Sequence, residues 1–142
     1  MEYKNCTVDD LKGCAEILQS AYALPPYNEE WELSHAQEYL ARFFSFDPSF
    51  CFVAVQNDKI LGAVFSYRYP WQGRESCYIQ EIFVSPSAHR KGVGSGLIKK
   101  LSSSKGIGPT WLVANKNSKA IEFYESLGFS SSGPYTFYAG FV

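Results

Sequence analysis

The sequence predicts one mixed α/β (α+β) domain in which helices flank a mostly antiparallel sheet. Runs rich in β-branched and aromatic residues alternate with segments whose apolar residues recur at helical spacing. Short turns join several of these runs, which favours antiparallel neighbours. A chain of 142 residues buries roughly two-thirds of its unfolded surface, enough for one core. We therefore expect a single domain over residues 1–142.

The N-terminal part is predicted to form an edge strand and two helices. The edge strand covers Glu2–Cys6, and the pattern Thr7-Val8-Asp9-Asp10 resembles a capping box that starts the first helix. Pro25-Pro26 ends that segment. A second helix is expected over Glu32–Phe44, and Asp47-Pro48 closes it.

Three strands should follow. Phe50–Gln56 and Lys59–Tyr67 form an antiparallel pair around a tight turn at Asn57-Asp58. A ring-bearing loop, Tyr69–Arg74, then leads into the central strand Tyr78–Val84.

The remaining elements alternate helix and strand. A helix carries Val93, Leu97, Ile98 and Leu101 at roughly helical spacing, and a second helix runs from a cap at Asn117 to a stop at Gly128. The other expected elements are a surface loop over Ser102–Pro109, a strand over Thr110–Ala114 and a final strand over Pro134–Phe141.

A basic, glycine-rich loop at Ala88–Gly96 joins the central strand to its helix. Glycines allow close backbone approach to a ligand, and the helix start offers free N–H groups and a positive dipole end. Because Arg90 and Lys91 add charge, the loop predicts a phosphate or pyrophosphate site. It does not match a dinucleotide fingerprint, a P-loop or a nucleophile elbow. A turn that only lets helix and sheet pack is the alternative.

Composition narrows the function further. A net charge of −1 and a pI near 6.1 do not indicate the basic surface that nucleic-acid-binding proteins have. The four cysteines lack CxxC spacing, so we expect buried reduced thiols and no metal site. With no signal peptide and no apolar run near 18 residues, we expect a cytoplasmic protein without a membrane span.

Two motifs carry a family resemblance. Ile82-Phe83-Val84-Ser85-Pro86 followed by Gly92 and Gly94 resembles the acyl-CoA-binding motif of the GNAT acetyltransferase superfamily, with His89 at a position that is usually Gln or Arg. A second stretch resembles the family's Asn-x-x-Ala-x-x-x-Tyr-x-x-x-Gly-Phe motif at Asn117, Ala120, Tyr124, Gly128 and Phe129. The resemblance covers Phe50 to Phe141 and implies a GNAT-like sheet whose central parallel strands splay apart.

The resemblance also implies acetyl-CoA as co-substrate, bound along the central strand and at the glycine loop. The implied cofactor-binding residues are Ile82, Phe83, Val84, His89, Arg90, Lys91, Gly92, Val93, Gly94, Ser95, Asn117 and Tyr124.

Acetyl transfer to an amine by direct attack requires a base, for which Glu81 is the nearest carboxylate to the strand end. Strand alternation predicts that Glu81 shares a face with Ile79 and Phe83. An ion-paired structural role for Glu81, or action through water, remains open. His89 is rejected as the base because it lies in the phosphate-binding loop. Tyr124 is the candidate acid that protonates the leaving thiolate, with core packing as the alternative.

The acceptor is predicted to be a small cationic amine that enters between two ring-bearing loops. The candidate residues are Tyr27, Glu29, Glu30, Trp31, Tyr69 and Trp71. Carboxylates attract a cation, and rings pack its apolar frame. Alternatives are a peptide or protein N-acetyltransferase and a non-catalytic acyl-CoA sensor. The acceptor's identity and the oligomeric state, a homodimer included, stay open.

Overall fold

The computed structural model describes residues 1–104, 106, 108–131 and 133–141. Within these ranges the strands are β1 (Glu2–Asn5), β2 (Cys51–Gln56), β3 (Lys59–Trp71), β4 (Arg74–Val84) and β5 (Thr110–Leu112), and the helices are α1 (Leu11–Tyr22), α2 (Leu33–Phe46), α3 (Val93–Ser104) and α4 (Ala120–Ser126). The predicted surface loop over Ser102–Pro109 lies partly outside the described residues.

The strands form one sheet in the order β1-β2-β3-β4-β5. The first four are antiparallel neighbours, whereas β4 and β5 run parallel. Asn57 and Asp58 both take positive φ, 51° and 60°, as the predicted tight hairpin turn requires. The predicted mixed sheet is therefore confirmed.

The hairpin that joins β3 and β4 is longer than predicted. The Tyr69–Arg74 segment is not a loop, because β3 extends to Trp71 and β4 begins at Arg74. Only Gln72 and Gly73 form the turn, and both have positive φ. The ring-bearing residues of this segment thus stand on a strand.

Two apolar clusters sandwich the sheet. Helices α1 and α2 bury Leu18, Leu40 and Phe65 on one face, and α3 buries Val64 and Leu97 on the other. The alternation of side chains along β2 and β3 supplies both clusters from the same strands. The four cysteines are all buried thiols, as predicted.

A β-bulge in β4 changes which face carries Glu81. Phe65 pairs with Glu81 but the next residue, Ser66, pairs with Ile79, so Gln80 is the extra residue. Glu81 and Phe83 lie on the α1/α2 face, while Ile79 joins the α3 cluster. The prediction that Glu81 shares a face with Ile79 was wrong, because regular alternation stops at the bulge.

The parallel pair β4–β5 separates early. Their register covers only Cys77–Ile79 opposite Thr110–Leu112, although β4 continues to Val84. The edge of β4 beyond Ile79 thus has no β5 partner among the described residues. This opening is the predicted splay.

Two predictions for the C-terminal part were wrong. Helix α4 starts at Ala120 with Lys119 at the N-cap position, and the Ala120 N–H donates to the Ser118 hydroxyl at 3.0 Å, so Asn117 does not cap the helix. No strand forms over the described residues of Pro134–Phe141, whose rings are exposed. Gly128 does end α4 with φ of 95°, and the Phe129 N–H donates to the Tyr124 carbonyl.

None of the helices described here is long and apolar enough to cross a membrane.

Candidate active site

The opening between β4 and β5 holds a cavity of about 100 Å³. Its walls come from the bulged part of β4, the chain after β5, the C-terminal end of α1 with the loop that follows, and α4. The lining residues are Tyr22, Tyr27, Ile79, Gln80, Glu81, Ile82, Leu112, Val113, Ala114, Asn115, Ala120 and Tyr124. Both predicted catalytic residues, Glu81 and Tyr124, therefore border one cavity.

Glu81 is the carboxylate of this cavity. The Tyr22 hydroxyl donates to its Oε2, and the Tyr39 hydroxyl donates to its Oε1 at 2.6 Å. Burial raises the pKa of the Glu81 carboxyl above its usual range, the two phenol donors oppose that rise, and the charge of Glu29 adds to it. The result is a carboxyl whose proton affinity is higher than that of an exposed glutamate.

The two phenols that hold Glu81 were missed by the sequence analysis. Burial, and then the charge of Glu81, raises the pKa of both Tyr22 and Tyr39, so each stays protonated as a donor. Gln80 Nε2 also donates to the Tyr39 hydroxyl at 3.1 Å. One signal was available, because Tyr22 follows Leu18 by four residues and so lies on the apolar face of α1, where a buried tyrosine needs a hydrogen-bond partner.

Tyr124 lies on α4 across the cavity from this group. Burial, followed by the neighbouring Tyr27 and Glu81, raises its pKa, and a phenol in this state can only donate a proton at neutral pH. Its ring also packs near Phe123 and Phe129, with centroids 5.3 and 5.9 Å away. Tyr124 thus combines a packed ring with a place in the cavity wall.

The glycine loop sits where β4 ends and α3 begins. Arg90 and Gly92 take positive φ, 64° and 79°, a conformation in which only glycine avoids strain. The space beside Gly92 is open, with no atom within 4 Å of where a Cβ would be. The first turn of α3 leaves N–H groups without helical partners, and Arg90 and Lys91 are exposed beside it.

The other loop residues have mixed surroundings. The His89 ring lies 3.1 Å from the Val84 carbonyl through Nε2, so it ties the loop to the strand end. A Cβ at Gly94 would lie 3.0 Å from the Phe123 ring, which makes this glycine a close contact between α3 and α4. Val93 is buried in the core.

The predicted cofactor residues outside the loop occupy several environments. Ile82 lines the cavity, whereas Phe83 is buried on the opposite face. Val84 packs on the α3 cluster. Ser95 is half-buried in the first turn of α3, and Asn117 is exposed, with its N–H donating to Asn115 Oδ1 at 2.9 Å.

The predicted acceptor residues that precede α2 have different surroundings. Tyr27 lines the cavity, packs edge-on to Tyr22 with centroids 4.8 Å apart, and bonds to Ser118 Oγ at 2.8 Å. Trp31 Nε1 donates to Glu29 at 2.8 Å. Glu30 is exposed.

Tyr69 and Trp71 stand apart from the cavity. They project from β3 near its turn, where Trp71 pairs with Arg74. That position is five residues before Ile79 on β4, about 17 Å at the usual rise per residue. The structure does not bring these two rings into contact with the loop that holds Tyr27.

The comparisons with known proteins agree with this geometry. The model of the acetyltransferase (GNAT) family matches residues 14–129. An uncharacterized N-acetyltransferase of Methanocaldococcus jannaschii is 32% identical over 139 residues, a match that covers 89% of this chain and 59% of the relative. The chain therefore spans about three-fifths of the length of that relative.

Solved structures share the fold. A possible acetyltransferase from Clostridium difficile 630 superposes with a TM-score of 0.80 at 19% identity, covering 99% of this chain and 97% of that one. An aminoglycoside acetyltransferase from an uncultured soil metagenomic sample, solved with sisomicin, gives a TM-score of 0.71 at 20% identity, with 99% and 96% covered. Together with the match over residues 14–129, the splayed sheet and the glycine loop show that this chain belongs to the acetyltransferase (GNAT) family.

Proposed function

We propose that the protein is an acetyl-CoA-dependent N-acetyltransferase that acetylates a primary amine of a small cationic molecule by direct attack. The observation that carries this proposal is the half-buried carboxyl of Glu81, which borders the gap beside β4, accepts two phenol hydrogen bonds and has a raised pKa. A carboxyl of raised proton affinity in a small cavity suits general base catalysis near neutral pH.

The residues present fit acetyl-CoA. Open space beside Gly92, free N–H groups in the first turn of α3 and the exposed cations Arg90 and Lys91 suit a pyrophosphate. The edge of β4 past Ile79 offers backbone partners to an extended chain such as pantetheine. Acetyl-CoA supplies the activated thioester.

Glu81 is the proposed base. An amine attacks only when neutral, so a proton must leave nitrogen as the carbon–nitrogen bond forms, and Glu81 receives it directly or through a water. Each carboxylate oxygen keeps a lone pair free while it accepts a phenol. Tyr22 and Tyr39 therefore orient the carboxylate and leave it able to accept a proton.

Tyr124 is the proposed acid. When the carbon–sulfur bond breaks, the electron pair stays on sulfur, and the Tyr124 hydroxyl donates its hydrogen bond and then a proton to that thiolate. The tyrosinate then takes a proton from solvent, and Glu81 returns its proton to solvent, which restores both groups. Its raised pKa keeps the phenol protonated until this step.

The acceptor's cationic end belongs beside the negative charges around the cavity. Glu29 is close enough to raise the pKa of Glu81, so this region carries two carboxyls on the acceptor side. Tyr27 and Trp31 supply ring faces that stabilise an ammonium. Glu30, exposed on the same loop, adds negative charge that steers the acceptor.

Thiol release from acetyl-CoA, measured with a panel of primary amines, tests the proposal. We expect amine-dependent release together with calorimetric binding of acetyl-CoA. Replacing Arg90 and Lys91 together by Ala should weaken that binding, and Lys99→Ala with Lys116→Ala is a control for loss of positive charge alone. Failure of acetyl-CoA to bind at millimolar concentration would exclude the proposal.

The acceptor loop has its own test. Glu29→Gln with Glu30→Gln should raise the KM for cationic amines and leave acetyl-CoA affinity unchanged. An unchanged KM for every accepted amine would place these acids on an ordinary solvated surface.

A further inference from the structure

Two groups of contacting aromatic rings, Tyr67 with Tyr69 and Tyr78, and Trp71 with Trp111, lie on one face of the sheet. We call Tyr67, Tyr69, Trp71, Tyr78 and Trp111 the aromatic strip. Ring centroids are 5.7 Å apart for Tyr67 and Tyr78, 6.4 Å for Tyr67 and Tyr69, and 6.0 Å for Trp71 and Trp111. Tyr78 and Trp111 are direct partners on β4 and β5, so the strip crosses three strands.

The strip lies on the same face as Glu81. Every second residue of β3 lies on the same face, so Tyr67, Tyr69 and Trp71 share the face of Phe65, the partner of Glu81. Helix α2 covers this face only as far as Phe46, whose ring is 5.6 Å from that of Tyr67. Beyond that point Tyr69 and Tyr78 stay half-buried and Trp71 is 41% exposed. Ring surface is thus available to solvent.

The strip approaches the cavity at Tyr78. Tyr78 immediately precedes Ile79 and the bulged residue Gln80, both of which line the cavity. Because Gln80 is the extra residue of the bulge, Tyr78 and Glu81 are successive residues on the α1/α2 face of β4. On β4 an acceptor with its nitrogen near Glu81 would meet Gln80, which is bonded to the Tyr39 hydroxyl, and then the ring of Tyr78.

The five side chains of the strip carry no charge. Glu81 borders the cavity at one end, and the Glu29 N–H donates to the Tyr22 carbonyl of the cavity wall. At the other end Arg74, the partner of Trp71, is exposed on the face of the strip, while Glu75 lies on the opposite face. Arg68 is held by Asp47, with Nε and Oδ2 2.8 Å apart. A second cation placed along the strip would meet the uncharged side chains of these rings.

We infer that the acceptor is an arylalkylamine, a molecule with one cationic nitrogen joined by a short alkyl chain to an aromatic ring. The nitrogen lies between Glu81 and Glu29, and the ring packs on Tyr78 and Tyr67. Larger ring systems extend toward Tyr69 and Trp111. This inference rests on the proposed function, since it names the acceptor class of the same site, and it disfavours polyamines and other multiply charged amines.

Equilibrium binding tests the inference without requiring turnover. Calorimetry in the presence of CoA compares tryptamine, 2-phenylethylamine, butylamine and spermidine. We expect tryptamine to bind ~30-fold more tightly than butylamine because its ring leaves water for an apolar surface, with 2-phenylethylamine between them. Spermidine should bind no better than butylamine. Equal affinity for tryptamine and butylamine, or tighter binding of spermidine, overturns the inference.

Substitutions in the aromatic strip test where the ring of the acceptor binds. Tyr78→Leu keeps an apolar side chain and removes the ring, so the ratio of tryptamine to butylamine affinity should fall to a few-fold. Tyr69→Leu, nearer the solvent, should lower the ratio for tryptamine more than for 2-phenylethylamine. Phe137→Ala, which removes a ring that is 75% exposed, is the control and should leave the ratio unchanged. An unchanged ratio in both strip variants also overturns the inference.

The same panel separates this inference from the proposed function. Ring-dependent binding without thiol release from any amine would refute acetyl transfer and leave the aromatic site standing. Thiol release with butylamine or spermidine at the rate seen with tryptamine would support acetyl transfer and refute the arylalkylamine class.

Discussion

Replacing Glu81 by Gln is the most direct test of the catalytic arrangement. The substitution keeps the volume and the shape of the side chain but removes the group that receives the amine proton. Loss of a positioned general base lowers kcat/KM by about 10²–10⁴-fold, which corresponds to roughly 2.7–5.4 kcal/mol of transition-state stabilisation. Acetyl-CoA affinity should stay near that of the wild type, because Glu81 lies on the face of β4 that carries α1 and α2.

The structure also sets the cost to stability. The Gln side chain has one carbonyl oxygen, which takes the place of one carboxylate oxygen and accepts a hydrogen bond from Tyr22 or from Tyr39. The other phenol then faces the amide N–H₂ and must accept a hydrogen bond from it. Rearranging one such bond costs about 1–3 kcal/mol. Most of the expected loss of rate should therefore be catalytic, with the fold intact at 25 °C.

The pH dependence has a definite sign. Burial raises the pKa of Glu81, so the wild-type rate should fall on the acid side at a pH above the usual glutamate range. A carboxyl whose pKa is higher in the folded than in the unfolded state binds its proton more tightly when the protein is folded. It therefore stabilises the fold at a pH below its unfolded pKa, and this stabilisation is lost as the pH rises through the folded pKa. The wild type should thus lose stability relative to the Glu81→Gln variant over that interval.

Thiol release on the best amine, followed over a range of pH, measures the rate effect, and thermal unfolding over the same range measures the stability effect. Glu38→Gln, an exposed change on α2, is the matched control and should behave like the wild type. If the Glu81→Gln variant turns over within a few-fold of the wild type at neutral pH, Glu81 is a structural carboxyl and the base lies elsewhere.

Three further substitutions are tested by the rate of thiol release, by acetyl-CoA binding or by unfolding. Tyr22→Phe removes a donor that lowers the pKa of Glu81, so the acid limb of the rate profile should move to higher pH; a shift to lower pH would contradict the role given to this phenol. Tyr124→Phe keeps the ring and deletes the hydroxyl, and kcat should fall by ~10² with acetyl-CoA affinity unchanged; turnover within a few-fold of the wild type would make it a core aromatic. Gly62→Ala places a Cβ 2.8 Å from the Phe83 carbonyl and should cost about 1–3 kcal/mol in denaturant unfolding. Gly140→Ala, with no neighbour within 4 Å, should cost nothing measurable, and equal effects of the two would count against the packing argument.

Local chemistry determined much of this fold in advance. The hairpin at Asn57-Asp58 and the helix stop at Gly128 follow from residues that tolerate positive φ, and helical spacing located the apolar face of α3. The two motifs led to the correct family because their residues are contiguous and can be recognised without knowing what they touch.

Tertiary structure decided the details of the site. Strand alternation is a local rule, and one extra residue at Gln80 overrode it and turned Glu81 toward α1 and α2. The partners Tyr22 and Tyr39 stand 59 and 42 residues away from Glu81 in sequence, so no short pattern could join them.

In the glycine loop and the C-terminal segment, too, the sequence determined some features and tertiary structure decided others. The sequence determined that the loop would be compact and basic, but only packing revealed that Gly94 lies against Phe123 while Gly92 faces open space. The β-type composition of Pro134–Phe141 favoured a strand, yet a strand needs a neighbour to complete its hydrogen bonds, and the described residues there pair with none. Propensity is a property of the residue, whereas bulges, pairing and buried hydrogen bonds depend on what the rest of the chain brings alongside it.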